Sequence, residues 1–275
     1  MKYSITVVLC MASFSLFSQS VDYKRWIERS ADFIELNQLD GAAFALRKAM
    51  SMEPANKNNG ALLLNLGILQ RQLKQSDDAY VSMTASLANS PDSVLVLHNR
   101  ASLLCDMGRF EDALDDYTAI LRIHPENIEA YYRRGLLFLE KNNRAKAQND
   151  FMEAEKRNPN HLFTKLSKAL LFKLDGDWNG AEKIYTELIS SNDAPNSSFY
   201  LNRAECYVHT QQFAKAIVDL RAAEPREKNN PYFYFLRGRI RLNQFDKLAA
   251  KEDFIKAKSL GYDADMVDEW LNKVK

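Results

Sequence analysis

Apolar residues along this chain follow two superposed rhythms. Within short windows they fall at helical spacing, and over longer stretches the same small and bulky positions return at a nearly fixed interval. Alanine stands at Ala42, Ala79, Ala113, Ala147, Ala181, Ala216 and Ala250, at intervals of 37, 34, 34, 34, 35 and 34 residues. Twelve residues before each sits a small residue: Ser30, Gly67, Ala101, Gly135, Ala169, Ala204 and Gly238. Four residues after each sits a bulky apolar one: Leu46, Met83, Tyr117, Phe151, Tyr185, Leu220 and Phe254. The first four copies close on Pro54, Pro91, Pro125 and Pro159. Each copy reads as two helices joined by a short turn. The small columns let helix backbones approach, and the bulky column fills the grooves between them. Gly108 and Gly176 mark turns, where a residue with positive φ ends a helix at little cost. Proline suits the first turn of the next helix and cannot continue the one before.

The fullest copy spans residues 94–125, with Leu97, Ala101, Leu104, Gly108, Phe110, Ala113, Tyr117 and Pro125 in phase. This pattern resembles the tetratricopeptide repeat, and the resemblance covers roughly residues 23–264. Seven copies start near positions 23, 60, 94, 128, 162, 197 and 231. The implied fold class is all-α, a right-handed α-solenoid of seven helix-turn-helix repeats. Residues 264–275 form a last amphipathic stretch, with Met266, Val267, Trp270, Leu271 and Val274 on one face behind Asp263 and Asp265. This reads as a C-terminal capping helix over the last repeat. Local departures are Lys165 and Arg241 at positions that take bulky residues, displaced prolines at Pro195 and Pro225, and an insertion over residues 55–60.

The first twenty residues stand outside the repeats. Lys2 precedes an apolar run from Ile5 to Ala12 with Phe14, Leu16 and Phe17, and Ser18-Gln19-Ser20 offers a small-x-small cleavage site. The run is short for a membrane span. Residues 1–20 therefore read as a signal peptide and 21–275 as the repeat region of an exported protein, periplasmic or extracellular. Retention of the segment as a membrane anchor is the alternative. Cys10 follows Leu9, where a lipoprotein signal takes a small residue. Lys2 is the single charged residue of this segment, and without it basic and acidic residues balance. No charge run points to nucleic acid or to an anionic membrane. Cys105 and Cys206 lie three repeats apart, and helices stack at roughly 10 Å, beyond the ~7 Å reach of a disulfide. Both read as free thiols.

The chain carries no nucleophile elbow, P-loop, dinucleotide fingerprint, H-E-x-x-H or C-x-x-C. The histidines His98, His124, His161 and His209 form no metal-type pair. The acidic pairs Glu111-Asp112 and Asp115-Asp116 read as a solvated helix face. Tyr131, Tyr200 and Tyr234 fall on core columns. An enzyme is not expected, and no cofactor or metal is implied.

In the family, the first helix of each repeat lines a concave face. The resemblance places Asn65, Asn99, Arg133 and Asn202 on that side, with Arg239 as a positive point near the C-terminal end. A side-chain amide matches a peptide unit in any sequence context, so these asparagines could hold a peptide backbone; hydrogen bonding within the repeat stack is the competing reading. Asn99 with Arg133 resembles part of a carboxylate clamp, but Leu64, Ile68 and Glu129 occupy its other positions. Tyr132, Leu136, Leu166 and Leu170 give the groove an apolar floor. The expected partner is a protein or peptide, presented as a helix or an extended apolar segment, and the expected role is an interaction scaffold. The alternatives are an accessory subunit of an envelope enzyme or assembly machine, and a glycan or small-molecule binder.

Overall fold

The computed structural model describes residues 20–191 and 195–274. The signal-peptide expectation lies outside the described residues. Among the described residues there are fifteen helices and no strand. They run α1 (Val21–Glu35), α2 (Leu39–Met52), α3 (Asn59–Gln72), α4 (Ser76–Asn89), α5 (Val94–Asp106), α6 (Phe110–Ile123), α7 (Ile128–Glu140), α8 (Arg144–Arg157), α9 (Leu162–Leu174), α10 (Trp178–Ser190), α11 (Ser197–His209), α12 (Phe213–Glu227), α13 (Pro231–Asn243), α14 (Lys247–Ser259) and α15 (Ala264–Val274). The chain divides into two compact units, one ending at Glu153 and the other beginning at Ala154.

Helix starts are set by local chemistry. The side chains of Ser20, Ser93, Asn127, Asn196 and Asn230 each accept a hydrogen bond from a backbone N–H of the first turn that follows. Inside each pair the turn passes through one left-handed residue. Gly108 and Gly176 take it at φ 71° and 77°. The same place in other pairs is held by Asn37, Lys74, Asn142, Gln211 and Phe245, at φ between 55° and 65°. These are side chains that the tight turn strains.

The periodic columns meet inside each pair. All seven column alanines have no exposed surface. The bulky column is equally buried, and it packs directly onto the small column of its own pair. A Cβ added to Gly135 would stand 2.3 Å from Phe151, and one added to Gly238 would stand 2.7 Å from Phe254. Glycine is required there because the aromatic ring occupies the space a side chain would need.

In the first unit, Tyr23, Leu46, Leu62, Leu66 and Leu69 form one core cluster, and Leu64, Ile68, Met83, Val96 and Leu103 form the next. Helix α3 belongs to both, so its apolar residues run round its circumference instead of along one stripe. In the second unit, Ala181, Tyr185, Leu188 and Phe199 lead into Leu201, Leu220, Phe233 and Leu236. The last cluster joins Phe235 and Phe254 to Val267 and Val274 of α15, with Trp270 and Leu271 packed beside them. Asp263 caps α15 by accepting from the Met266 N–H at 2.8 Å.

Two local readings need correction, at Met266 and at the pair-closing prolines, and the departures at Pro225, Lys165 and Arg241 are accommodated locally. Met266 is 43% exposed and stands off the apolar face of α15, its sulfur turned to the Tyr262 hydroxyl. Pro54, Pro91, Pro125 and Pro159 lie between pairs, after one helix has ended and before the next has begun, so they stop helices without starting any. Pro225 sits inside the last turn of α12, which continues to Glu227; a proline there forfeits one backbone hydrogen bond where the helix is already ending. Lys165 and Arg241 are accommodated by ion pairs, with Glu187 at 2.7 Å and with Asp253 at 2.9 Å.

The alanine column leaves no room for a larger side chain. Ala147→Leu and Ala181→Leu are each expected to cost roughly 1–3 kcal/mol by overpacking. Urea melts read this directly, and wild-type midpoints for both variants would contradict the packing described.

Candidate functional site

The first unit contributes five of the candidate residues. Asn65 is buried at 1% exposure on α3, and its Oδ1 accepts no hydrogen bond among the described residues. It is closed to a ligand, because α3 packs on both sides. Tyr132 is also buried and lays its ring 6.3 Å from that of Phe151. It is core and not an open floor. Asn99 is half-buried and donates its Nδ2 to Leu95 O at 2.8 Å, one turn back in its own helix. Arg133 donates from Nε and NH2 to Glu129 Oε1 at 3.2 and 3.1 Å, so its charge is matched within α7. Leu136 is half-buried. The face that α5 and α7 leave open therefore holds Asn99, Arg133 and Leu136.

The second unit holds Leu170, Asn202 and Arg239, all partly exposed. Asn202 donates its Nδ2 to Ser198 O at 2.7 Å, and its Oδ1 accepts from Lys173 Nζ at 3.1 Å. Both asparagine amides thus bond first within the stack. Lys173 also forms a close ion pair with Glu205. The Tyr232 hydroxyl is pushed well up, first by burial and then by the charge and hydrogen bond of Glu205. His209 stacks on Trp178 with centroids 3.7 Å apart and planes 7° from parallel. Its pKa is lowered by burial, and the neighbouring Arg239 charge lowers it further. Arg239 places NH1 3.5 Å from His209 Nε2 and its guanidinium carbon 5.0 Å from the Trp270 ring centre. Its Nε is buried and has no hydrogen-bond partner among the described residues.

Lys173, Glu205, His209 and Trp270 were not among the sequence candidates. A signal for two of them exists: Asn202, Glu205 and His209 stand at i, i+3 and i+7, one face of one helix.

A second pattern went unread in the sequence. Arg100, Arg134, Arg203 and Arg237 each stand one residue before the small column, and Asp116, Asp150, Asp219 and Asp253 each stand sixteen residues later. Each arginine grips its aspartate with Nε and NH2 together. For Arg100 the distances are 2.9 and 2.6 Å, and for Arg203 they are 2.7 and 2.8 Å. In three of the four, NH1 reaches back to a threonine of the preceding pair: Thr84, Thr118 and Thr186. Arg237 uses Glu224 instead. The hydrogen bond to aspartate raises the pKa of each of these arginines further. This corrects the reading of Asp115-Asp116 as one solvated face: Asp115 is exposed, while Asp116 is buried under Arg100. The fifth pair has Lys168 and Ile184 in these columns and no clamp.

Among the described residues, no group of three or more His, Cys, Asp or Glu side chains could hold a metal ion. No described helix is long and apolar enough to cross a membrane. Cys105 and Cys206 are both free.

A family model described as tetratricopeptide repeat matches residues 98–161 and 166–232. A solved tetratricopeptide repeat protein from Parabacteroides merdae is 35% identical, with 93% of this chain and 99% of that chain covered and a TM-score of 0.73. The chain belongs to the tetratricopeptide repeat family. Two more distant structures share the fold. The Cut9–Hcn1 hetero-tetramer of the APC/C aligns at 13% identity over 92% of this chain and 54% of that one, TM-score 0.69. Pseudomonas aeruginosa pilF aligns at 17% identity over 77% and 95%, TM-score 0.58. No curated protein matches in sequence. The tetratricopeptide repeat fold is typical of protein–protein interaction scaffolds, and such proteins are generally non-catalytic.

Two predictions follow from the buried polar groups. Asp116→Ala leaves the Arg100 guanidinium without its partner and is expected to cost roughly 2–4 kcal/mol. The exposed neighbour Asp115→Ala is expected to stay within about 0.5 kcal/mol of wild type. Equal melting curves for the two variants would show the clamp to be without weight. Burial pushes the Cys105 thiol up to about 11 and the Cys206 thiol up to about 12. Raised thiol pKa values remove thiolate, the reactive form, at pH 8. Labelling of the native protein at pH 8 should therefore be slow and should become fast on unfolding in urea; equal rates would contradict the burial.

Proposed function

We propose that this tetratricopeptide repeat protein is a non-enzymatic scaffold that binds a partner polypeptide on the face carried by the first helices of its pairs. One observation carries the reading. Within each unit, taken by itself, the first helices leave partly exposed amide and charged groups beside partly exposed leucines: Asn99, Arg133 and Leu136 in one, Leu170, Asn202 and Arg239 in the other. Amides that already bond back to their own helix are held rigid, and the Asn99 oxygen, which accepts no bond among the described residues, is left to accept from a peptide N–H. Leucines beside fixed polar groups suit an extended or helical segment, where apolar anchors give affinity and polar groups set the register.

The proposal includes export. Lys2, the apolar run to Phe17 and the Ser18–Ser20 site favour removal of residues 1–20 and a periplasmic or extracellular setting, and similarity to a Parabacteroides merdae protein favours a bacterial source. An accessory role in an envelope assembly is compatible with the same surface.

The test begins with cross-linking in the native cell and mass spectrometry of the partner. Asn99→Ala with Arg133→Ala is then expected to weaken that partner at least tenfold, with helical content and melting close to wild type. Undiminished binding by the double variant, together with loss on changing the Asn196 loop edge, would move the binding surface elsewhere.

A further inference from the structure

We infer that Arg239 is the recognition point for a carboxylate, supplied by an acidic residue of the bound polypeptide and received between His209 and the cap-helix residue Trp270. The inference rests on the scaffold reading above and adds the partner's chemistry.

In Arg100, Arg134, Arg203 and Arg237, Nε and NH2 together hold one carboxylate. Arg71, Arg109, Arg133 and Arg241 are also ion-paired. Arg239 is equally half-buried, yet no carboxylate among the described residues stands within ion-pair distance of it, Glu205 acting on it only through its charge, and the Nε that the others commit to aspartate is buried and idle. A buried donor left unmade costs about 1–3 kcal/mol, so an incoming acceptor relieves a cost already present.

The neighbours cannot fill the vacancy. Glu205 is held by Lys173 and by the Tyr232 hydroxyl. His209 faces Arg239 with Nε2 at 3.5 Å, but its ring is stacked on Trp178. An imidazole kept neutral by burial brings no negative charge. Trp270 lies under the guanidinium at 5.0 Å, an attraction between a cation and a ring face that orients the group without neutralising it. Glu205 and Lys173 cancel, so the cluster is left with one unmatched positive charge. Trp270 against the guanidinium and His209 at its NH1 restrict the group, and its planar fork matches a carboxylate in two-point contact.

The test uses the full chain and two probes. Benzoate is titrated against intrinsic tryptophan emission, because Trp270 borders the site and Trp178 is one stacked ring away. A saturable change is expected that weakens with added salt, is absent with the neutral isostere benzamide, falls at least tenfold in Arg239→Met and is partly kept in Arg239→Lys. Equal responses to benzoate and benzamide, or an unchanged response in a folded Arg239→Met, would overturn the site. Arg239→Lys keeps the test open if the methionine variant does not fold. The second arm selects random twelve-residue peptides on wild type and on Arg239→Met. Wild type should enrich Asp or Glu at one position several-fold, and the variant should lose that enrichment while still selecting peptides. Peptides of the same composition from both proteins would overturn the acidic residue as the carrier, leaving a free organic acid if benzoate binds. Selection of no peptide by either protein is the failure of the scaffold reading itself, and it is told apart because the benzoate arm does not depend on it.

Discussion

Backbone closeness within each helix pair is the constraint on which the rest of the structure depends. The alanine column has no exposed surface, and Gly135 and Gly238 lie against the rings of Phe151 and Phe254 with no space for a methyl group. Dense packing of this type does not relax gradually, so the pair forms with the right residue sizes or is strained throughout. Small and bulky columns are therefore two halves of one contact, sixteen residues apart in the chain. Fixing that contact sets the register of the second helix on the first, and with it the face each helix turns outward.

Polar chemistry follows from the same register. An arginine one residue before the small column and an aspartate three after the alanine face each other once the pair has closed. The guanidinium then spans from its own pair's aspartate to a threonine of the pair before. Apolar packing alone joins neighbouring pairs without direction; a bidentate pair plus a third hydrogen bond adds a defined geometry. Desolvating these charges is costly, so the clamps act on register more than on net stability. Where Lys168 and Ile184 stand in these columns, the fifth pair relies on packing through Tyr185 and Leu188.

Legibility in the sequence tracked how each feature repeats. Apolar columns recur in all seven copies, so helix pairing could be read from spacing and the pattern resembled a known repeat family, while the cap was legible from the single apolar face of the last helix. The Arg–Asp column recurs in four and was hidden because Asp116 sits beside the exposed Asp115; adjacent acids on a helix point about 100° apart and need not share a fate. Asn65 and Tyr132 were misjudged for another reason. A position aimed at the open face in one pair is aimed at packed neighbours in another, as α3 shows by contributing to two core clusters. Column membership fixes direction along the helix but leaves undetermined what has been packed against it.

Binding features escape the period because a ligand does not repeat with the fold. Lys173, Glu205, His209 and Arg239 come from three successive first helices, and none has a counterpart of the same charge in every other copy. Their arrangement is legible only after the pairs are stacked, when Lys173 meets Glu205 and leaves Arg239 over Trp270. The cap helix thus has two consequences. Val267 and Val274 close the last core cluster, and Trp270, held on the same helix by that burial, supplies the ring under Arg239. A residue recruited to end a stack becomes the wall of a site, because ending a stack of amphipathic pairs requires a large apolar surface at the place where the last charged face is still open.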